Sequence, residues 1–552
     1  MRAPLLAVLV VLPVLLAACT GPTPLAGKPT AHPARIGGLL NQQVTVDPAD
    51  RQANELSVAV DPTNAMNLIV TGKDYTQPYA GDCVWDGVYV SHDGGATWRN
   101  GNLPGSPWKR LDDAKNGRPD PSPPQELSRF YCATDPVVAF GPDGTAYWAV
   151  MPYQCDPGSG SKTGNEIVPG TGQGLPAGGF NDWFWSCSAM FVLSSHDHGD
   201  SWDTITQVAV GPRLMNDKMW LAVGPATRSD PNGLVLLCWD QDAWVSSVAR
   251  DDYDAILQGG GPAWPDPLYV PNQPVPTATV CSVSHDQAKT WEPGASVTEG
   301  GGFPVAVQGA NTNWVAFGSD GTAYMAAVNK THVLFLSSHD GLTWSQPVPV
   351  GAYKDAENRL MNGFPSLNGS AFRVLVLPSL AVDDSNGTLR GSLYVTWMDA
   401  ASGQGRTMLA ASHDGGVTWT TPTWIHEMSA DDEGQRGDQF LPAVSVGPDG
   451  TVDLTWMDRR DDPKNHLFDA YYAFSLDGGK SFSASLRVSQ VSSDEQYSHH
   501  QNGAVFLGDY RQVASSAGAA HPVWVDTRNH KADVYTATIE RPGANAAAAA
   551  AD

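Results

Sequence analysis

Charge is scarce in this 552-residue chain. Only 16% of its residues are Asp, Glu, Lys or Arg, and 58 acidic side chains stand against 33 basic ones. A net charge of −25 works against nucleic-acid and anionic-membrane surfaces except at a local basic pocket, so no nucleic-acid partner is expected. Cysteine is sparse too. There are seven, with no C-x-x-C pair and no Cys/His cluster at zinc spacing, which excludes the usual structural zinc sites. A phosphate-cradling Gly loop, a Gly-x-Ser-x-Gly elbow and a His-Glu-x-x-His pair are all missing. Asp112-Asp113 and Asp461-Asp462 carry oxygens of the kind Ca²⁺ takes, but not at EF-hand spacing. A structural Ca²⁺ therefore stays unassigned, and no cofactor or metal is expected.

What is present, 56 Gly, 42 Pro and 19 Trp, describes a turn-rich all-β protein with a large core. One octapeptide organises it. S-H-D-G-G-A-T-W at residues 91–98 returns at 195–202, 284–291, 338–344 (one residue shorter), 412–419 and, as S-L-D-G-G-K-S-F, at 475–482. Each copy follows an apolar, β-prone run. Its Asp can accept from the backbone N–H groups just ahead, Gly takes the positive φ of a tight turn, and the closing Trp or Phe wedges under the sheet. Asp93, Asp197, Asp286, Asp340, Asp414 and Asp477 are thus hairpin builders rather than chemical groups.

A second unit consists of an apolar strand, a turn rich in Asp, Pro, Asn and Gly, and a strand often closed by Trp. It occurs seven times, at residues 58–70, 137–150, 221–239, 315–327, 380–397, 443–456 and 513–524. Six of these units are followed by the octapeptide. The seventh ends in a third strand at 533–538, and residues 43–46 are placed to supply its outer strand. These repeats predict a seven-bladed β-propeller over residues 42–541, closed between the chain ends. Six blades with one unit as decoration is the alternative.

The octapeptide resembles the Asp-box, or bacterial neuraminidase (BNR) repeat, of the sialidase superfamily. That resemblance implies a propeller and an exo-α-sialidase-like glycoside hydrolase whose partner is a glycan or glycoconjugate. Sialidases have six blades, hold the substrate carboxylate with three Arg, and use a Tyr nucleophile activated by Glu together with an Asp acid/base. Their Arg-Ile-Pro is absent here. Arg129-Phe130-Tyr131 is the nearest sequence, and Tyr510-Arg511 and Glu495 with Tyr497 are the remnants of a Tyr/Glu arrangement.

The N-terminus resembles a bacterial lipoprotein signal: Arg2, an apolar stretch over residues 5–16, then Leu16-Ala17-Ala18-Cys19. It implies a signal peptide over 1–18, a lipidated Cys19 with a flexible tether over 19–41, and an exported protein anchored to the membrane at the cell envelope. Residues 542–552 form an Ala-rich tail expected to be disordered. Export leaves Cys83, Cys132, Cys155, Cys187, Cys238 and Cys281 free to form disulfides. Of the fifteen pairings open to six cysteines, the repeat alignment favours Cys83 with Cys132, Cys155 with Cys187, and Cys238 with Cys281.

If the octapeptides and the Asp/Pro/Gly turns share one face, the opposite face is built from residues before each unit's first strand and after its second. Asp135, Asp217, Asp509 and Tyr510 precede first strands, as do Arg129 and Arg511, whereas Asp240, Asp458, Arg459 and Arg528 follow second strands. Paired carboxylates can protonate a leaving oxygen and stabilise an oxocarbenium-like centre. Asp135, Asp217, Asp458, Asp509 and Tyr510 are therefore the catalytic candidates. Arg129, Arg459, Arg511, Arg528 and Asp240 are the substrate-binding candidates, since Arg grips an acidic group with two prongs. The same residue types also cap turns and join blades. A non-catalytic propeller that docks an envelope protein is the alternative function. His92, His196, His285, His339 and His413 are expected as solvated turn residues on the far face.

Overall fold

The computed structural model describes residues 40–45, 52–75, 84–105, 127, 130–155, 188–211, 215–242, 278–294, 303–360, 364–425, 437–501 and 504–541. Among the described residues seven antiparallel blade sheets follow one another along the chain, six of four strands and the last of five, where Ile539–Glu540 pairs off the main path. Blade 1 comprises Ala53–Val60, Leu68–Asp74, Trp85–Ser91 and Arg99–Asn102. Blades 2 to 7 begin with Phe130–Phe140, Met215–Val223, Asn311–Phe317, Ser379–Val382, Gln439–Val446 and Val513–Ser516. Each first strand lies against the first strand of the next blade, and that of blade 7 against that of blade 1. The ring is closed, and the blade count is seven rather than six.

Closure is non-covalent and joins the two ends of the propeller. Gln42–Gln43 adds the fourth strand of blade 7, pairing Gln42 with Thr536 and Gln43 with Tyr535. The Val44 N–H then donates to the Val534 carbonyl at 2.8 Å. A blade sandwiched between two others buries both faces, which is why its strands read as nearly continuous apolar runs. Trp148, Trp239, Trp397, Trp456 and Trp524, all on second strands, are completely buried. Trp220 and Trp314, on the first strands of blades 3 and 4, stack at 3.5 Å between ring centroids, and Tyr510 meets Trp220 edge-on at 5.6 Å.

The octapeptides form the tight turns their sequence implies. Ser91 Oγ donates to Asp93 Oδ1 (2.8 Å) and accepts from the Gly95 N–H (2.9 Å), while Asp93 accepts from the Thr97 N–H (2.8 Å) and hydroxyl (2.6 Å). The same bonding recurs around Asp197, Asp286, Asp414 and Asp477, and in shortened form at Asp340. Gly416 is obligatory in its copy: its φ is 88°, and a Cβ there would lie 2.0 Å from Phe335 of the preceding blade. The histidines are not simply solvated, as the sequence suggests. His92 bonds Asn67 (2.9 Å), His196 Thr145 (3.3 Å), His339 Thr322 (3.4 Å) and His413 Ser392 (2.8 Å), and His285 bonds Asp230, so each pins two turns of its own blade.

Cys238 and Cys281 stand opposite each other on neighbouring strands of blade 3 and form the expected disulfide. Cys132 is disulfide-bonded as well. Cys19, Cys83, Cys187, the side chain of Cys155, Arg129, the signal segment and the Ala-rich tail lie outside the described residues.

Candidate functional site

The first strands of blades 1, 2, 3, 4 and 6 slip register at equivalent places: between Asn54 and Ser57, Thr134 and Val137, Asp217 and Trp220, Asn311 and Trp314, and Phe440 and Ala443. A bulge of this kind re-aims a side chain that the ladder no longer constrains. Each slip contains one residue with φ between 48° and 58°: Glu55, Asp135, Lys218, Thr312 and Leu441. Side-chain-bearing residues seldom adopt that left-handed conformation. Three consecutive blades thus present an ionisable group from a strained position, and the three groups meet.

Lys218 is the centre of the cluster. Its Nζ lies 3.2 Å from Asp135 Oδ2, 3.2 Å from Asp217 Oδ1, 3.1 Å from Asp509 Oδ2 and 4.0 Å from Glu55 Oε1. Arg373, in the segment leading into blade 5, reaches Asp509 from another direction, with Nε on Oδ1 at 2.7 Å and Nη2 on Oδ2. Lys73 Nζ is 3.7 Å from Glu55 Oε2. Thr134 Oγ1 donates to Asp135 Oδ1 at 2.9 Å, with Glu55 Oε2 3.5 Å away. Glu55, Asp135 and Asp509 are buried, while the side chains of Asp217 and Arg373, 19% and 21% exposed, mark the solvent side.

The charges cannot all be expressed at once. Burial, reinforced by the charge of Asp135, pushes Glu55 up from its ordinary 4.5 to about 8, and the same two causes push Asp86 well above the carboxylate range. Asp135 moves the other way. Burial opposes its ionised form, but Lys218, a hydrogen bond from Glu55, and Lys73 outweigh it and hold Asp135 below its ordinary value. Burial likewise opposes ionised Asp509, and Arg373 with Lys218 outweighs it. For Lys218, the surrounding carboxylates outweigh burial and raise it well above the ordinary range. A proton-bearing carboxyl beside an ionised one is the pairing from which acid and base roles are made. Burial, then Asp135 and Glu55, drives the Tyr510 phenol far upward, and its hydroxyl donates to the Pro136 carbonyl at 3.3 Å.

Aromatic rings border this floor. Lys73 lies 4.9 Å from the centroid of Phe506, and Arg373 sits between Phe506 (4.6 Å) and Phe364 (4.8 Å). Tyr75 stacks on His499 at 3.6 Å, and Phe364 is 38% exposed. Among the described residues no group of three or more His, Cys, Asp or Glu side chains is arranged to hold a metal.

Of the residues expected from sequence, Asp135, Asp217, Asp509 and Tyr510 come together here. Asp458 is placed elsewhere, in blade 6. It accepts from Trp456 Nε1 (2.7 Å), Gln439 Nε2 (3.1 Å) and Arg460 Nε (2.9 Å). Blade 7 repeats that joint. Trp524 Nε1 donates to Asp526 at 3.0 Å, and Arg528 grips Asp526 at 2.8 and 2.7 Å while lying 4.0 Å over Tyr535. Arg459 is completely buried between Phe372 and Phe440 and pairs with Glu495 at 2.6 Å. Asp240 joins blades 3 and 4, accepting from Thr279 Oγ1 (2.8 Å) of its own blade and from the Thr312 N–H of the next. Arg511 is buried against Met457 and Thr455. Arg459 and Arg528 are therefore occupied within the scaffold.

Glu55, Lys73, Asp86 and Arg373 escape a search for carboxylate and Arg pairs. Glu55 has a signal nonetheless: it precedes Ser57 by two residues, as Asp135 precedes Val137 and Lys218 precedes Trp220. Arg373 has none, because its segment carries no strand periodicity.

No family model matches the chain, and no curated protein matches it. Among solved structures, it is similar to the Hadza microbial sialidase Hz136 at 16% identity, with a TM-score of 0.41 over 73% of this chain and 63% of that one. A protein of unknown function from Dyadobacter fermentans aligns at 12% identity, with a TM-score of 0.39 over 92% of this chain and 100% of that one. The α-L-arabinanase of Penicillium chrysogenum aligns at 14% identity, with a TM-score of 0.36 over 76% of this chain and 94% of that one. The alignment with the sialidase thus spans less than two thirds of that chain's length.

Proposed function

We propose that this protein is an exported Asp-box propeller that hydrolyses glycosidic bonds at the Lys218 cluster and is held at the cell envelope by a lipid on Cys19. The six S-x-D turns support the Asp-box assignment, and the signal-like residues 1–19 support export and anchoring. One observation carries the chemistry: Glu55 and Asp135, side by side, are driven in opposite directions, so one keeps its proton at neutral pH while the other stays ionised.

In this reading Glu55 is the proton source for the leaving oxygen, directly or through the Thr134 hydroxyl. Asp135 and Asp509 stabilise the positive charge that develops on the sugar. Glu55 Oε2 and Asp135 Oδ1, at 3.5 and 2.9 Å from the one Thr134 hydroxyl, cannot stand as far apart as the about 6.5–9.5 Å of an inverting pair, which favours retention of configuration with Asp135 opposite the acid. Lys218 and Arg373 position the carboxylates, and the exposed ring of Phe364 offers a surface to the apolar face of a sugar.

The enclosure of Glu55 and Asp509 favours a second reading, a propeller that binds a glycan or an envelope protein without turning it over. Assay of the purified protein against chromogenic α-sialosides and neutral exo-glycosides separates the two. Release of chromogen supports the enzyme, and silence from folded protein supports the binding module.

A further inference from the structure

Three Arg side chains are buried among the described residues: Arg459, Arg511 and Arg541. Arg459 pairs with Glu495 at 2.6 Å, and Arg541 pairs with Asp453 and, at 2.9 Å, with Asp449. Arg511 differs. Its Nη1 meets the Met457 thioether and its Nη2 the Thr455 hydroxyl, whose own proton goes to the Tyr471 carbonyl at 2.7 Å. Its buried Nε has no hydrogen-bond partner, as in Arg459 and Arg541, so the difference lies in the missing carboxylate. No described carboxylate opposes the charge. Burial alone pulls the guanidinium down to about 9, which leaves it ionised at neutral pH.

Arg511 lines a small cavity whose other walls include Leu56, Phe440, Leu441, Phe468, Leu507 and Val525. The space suits one water-sized group. An uncompensated buried ion costs several kcal/mol, and a neutral water hydrogen-bonds to the guanidinium without cancelling its charge. A halide, a single atom somewhat larger than water, is the smallest common anion that supplies a counter-charge, whereas phosphate, sulfate and carboxylate are polyatomic and larger still. We propose that this cavity between blades 6 and 7 is a halide site, occupied by chloride under ordinary conditions, with Arg511 as its cationic ligand. The ion supplies the counter-charge that Glu495 and Asp453 supply to the other two buried Arg residues.

The test follows thermal unfolding of the purified protein as sodium gluconate is exchanged for sodium chloride or bromide at constant ionic strength. A ligand that binds only the folded state, at a hundredfold excess over its Kd, raises Tm by about 3 °C for a domain of this size. The expected result is a saturable rise of that order with either halide. Arg511→Met keeps the length and the apolar packing, removes the charge and should abolish the rise. Equal Tm values in gluconate and halide would overturn the proposal, as would a halide response that survives in Arg511→Met. Should that variant fail to fold, anomalous diffraction from bromide-soaked wild-type crystals decides: a peak against Arg511 supports the site, and its absence there overturns it.

Discussion

Replacing Glu55 by Gln probes the charge balance of the cluster while keeping its shape. In the unfolded chain Glu55 titrates near 4.5, and in the folded chain near 8. Between those values the folded state holds the extra proton, so unfolding becomes easier as pH rises, by about 1.4 kcal/mol per pH unit. From pH 4.5 to 7.5 the wild type therefore loses about 4 kcal/mol through this group. Gln is neutral throughout, and its amide can donate to Asp135 where the carboxyl did. With about 2.1 cal/mol/K of unfolding entropy per residue, 1 kcal/mol corresponds to about 1 °C in a propeller of this length. Glu55→Gln should thus melt about 4 °C above the wild type at pH 7.5 and level with it at pH 4.5. Calorimetric Tm values across that range at fixed ionic strength measure the gap. Parallel curves, with a gap independent of pH, would refute the assignment of the proton to Glu55.

Other perturbations test the scaffold. Glu495→Gln strips the fully buried Arg459 of its partner and should cost about 3–5 kcal/mol, read as a fall in denaturation midpoint. Gly416→Ala forces a Cβ into Phe335 at a φ of 88° and should lower Tm far more than Gly415→Ala, whose Cβ meets nothing within 4 Å although its φ of 73° is also strained. Cys238→Ser opens a loop closed over a separation of 43 residues and should cost about 2–4 kcal/mol in oxidising buffer and nothing further under reductant. His499 and His521, both pulled down to about 4 chiefly by burial, are neutral in the fold, so their contribution is complete above their ordinary 6.5 and is lost as pH falls towards 4. The calorimetric series repeated on His521→Asn measures this contribution: the variant should gain on the wild type as pH falls from about 6.5 towards 4.

The architecture was legible because the propeller repeats itself. Seven copies of one strand pair and six of one turn set the blade count, and the missing outer strand of the last unit pointed to the N-terminal residues that supply it. Repetition also separates scaffold from site. Trp-x-Asp-x-Arg occurs in register in blades 6 and 7, and both copies are joints, so Asp458 and Arg528 serve the fold. Asp135, Asp217 and Asp509 belong to no such joint, and they converge. What the sequence does not display is the bulge, since a left-handed φ at Glu55, Asp135 or Lys218 arises from strand register rather than from residue type. Long-range partners are equally invisible. Arg373 reaches Asp509 across 136 residues, and neither neighbourhood announces the other.

The most direct test of the central claim is turnover by the purified protein on the glycoside panel, with Asp135→Asn beside it. Loss of an ionised carboxylate that touches the reacting sugar should lower the rate by at least about a hundredfold, while circular dichroism shows a folded variant whose Tm falls because buried Lys218 has lost one carboxylate partner. Asp135→Asn that cleaves as fast as the wild type, or a folded wild type that cleaves nothing, would contradict hydrolysis at the Lys218 cluster.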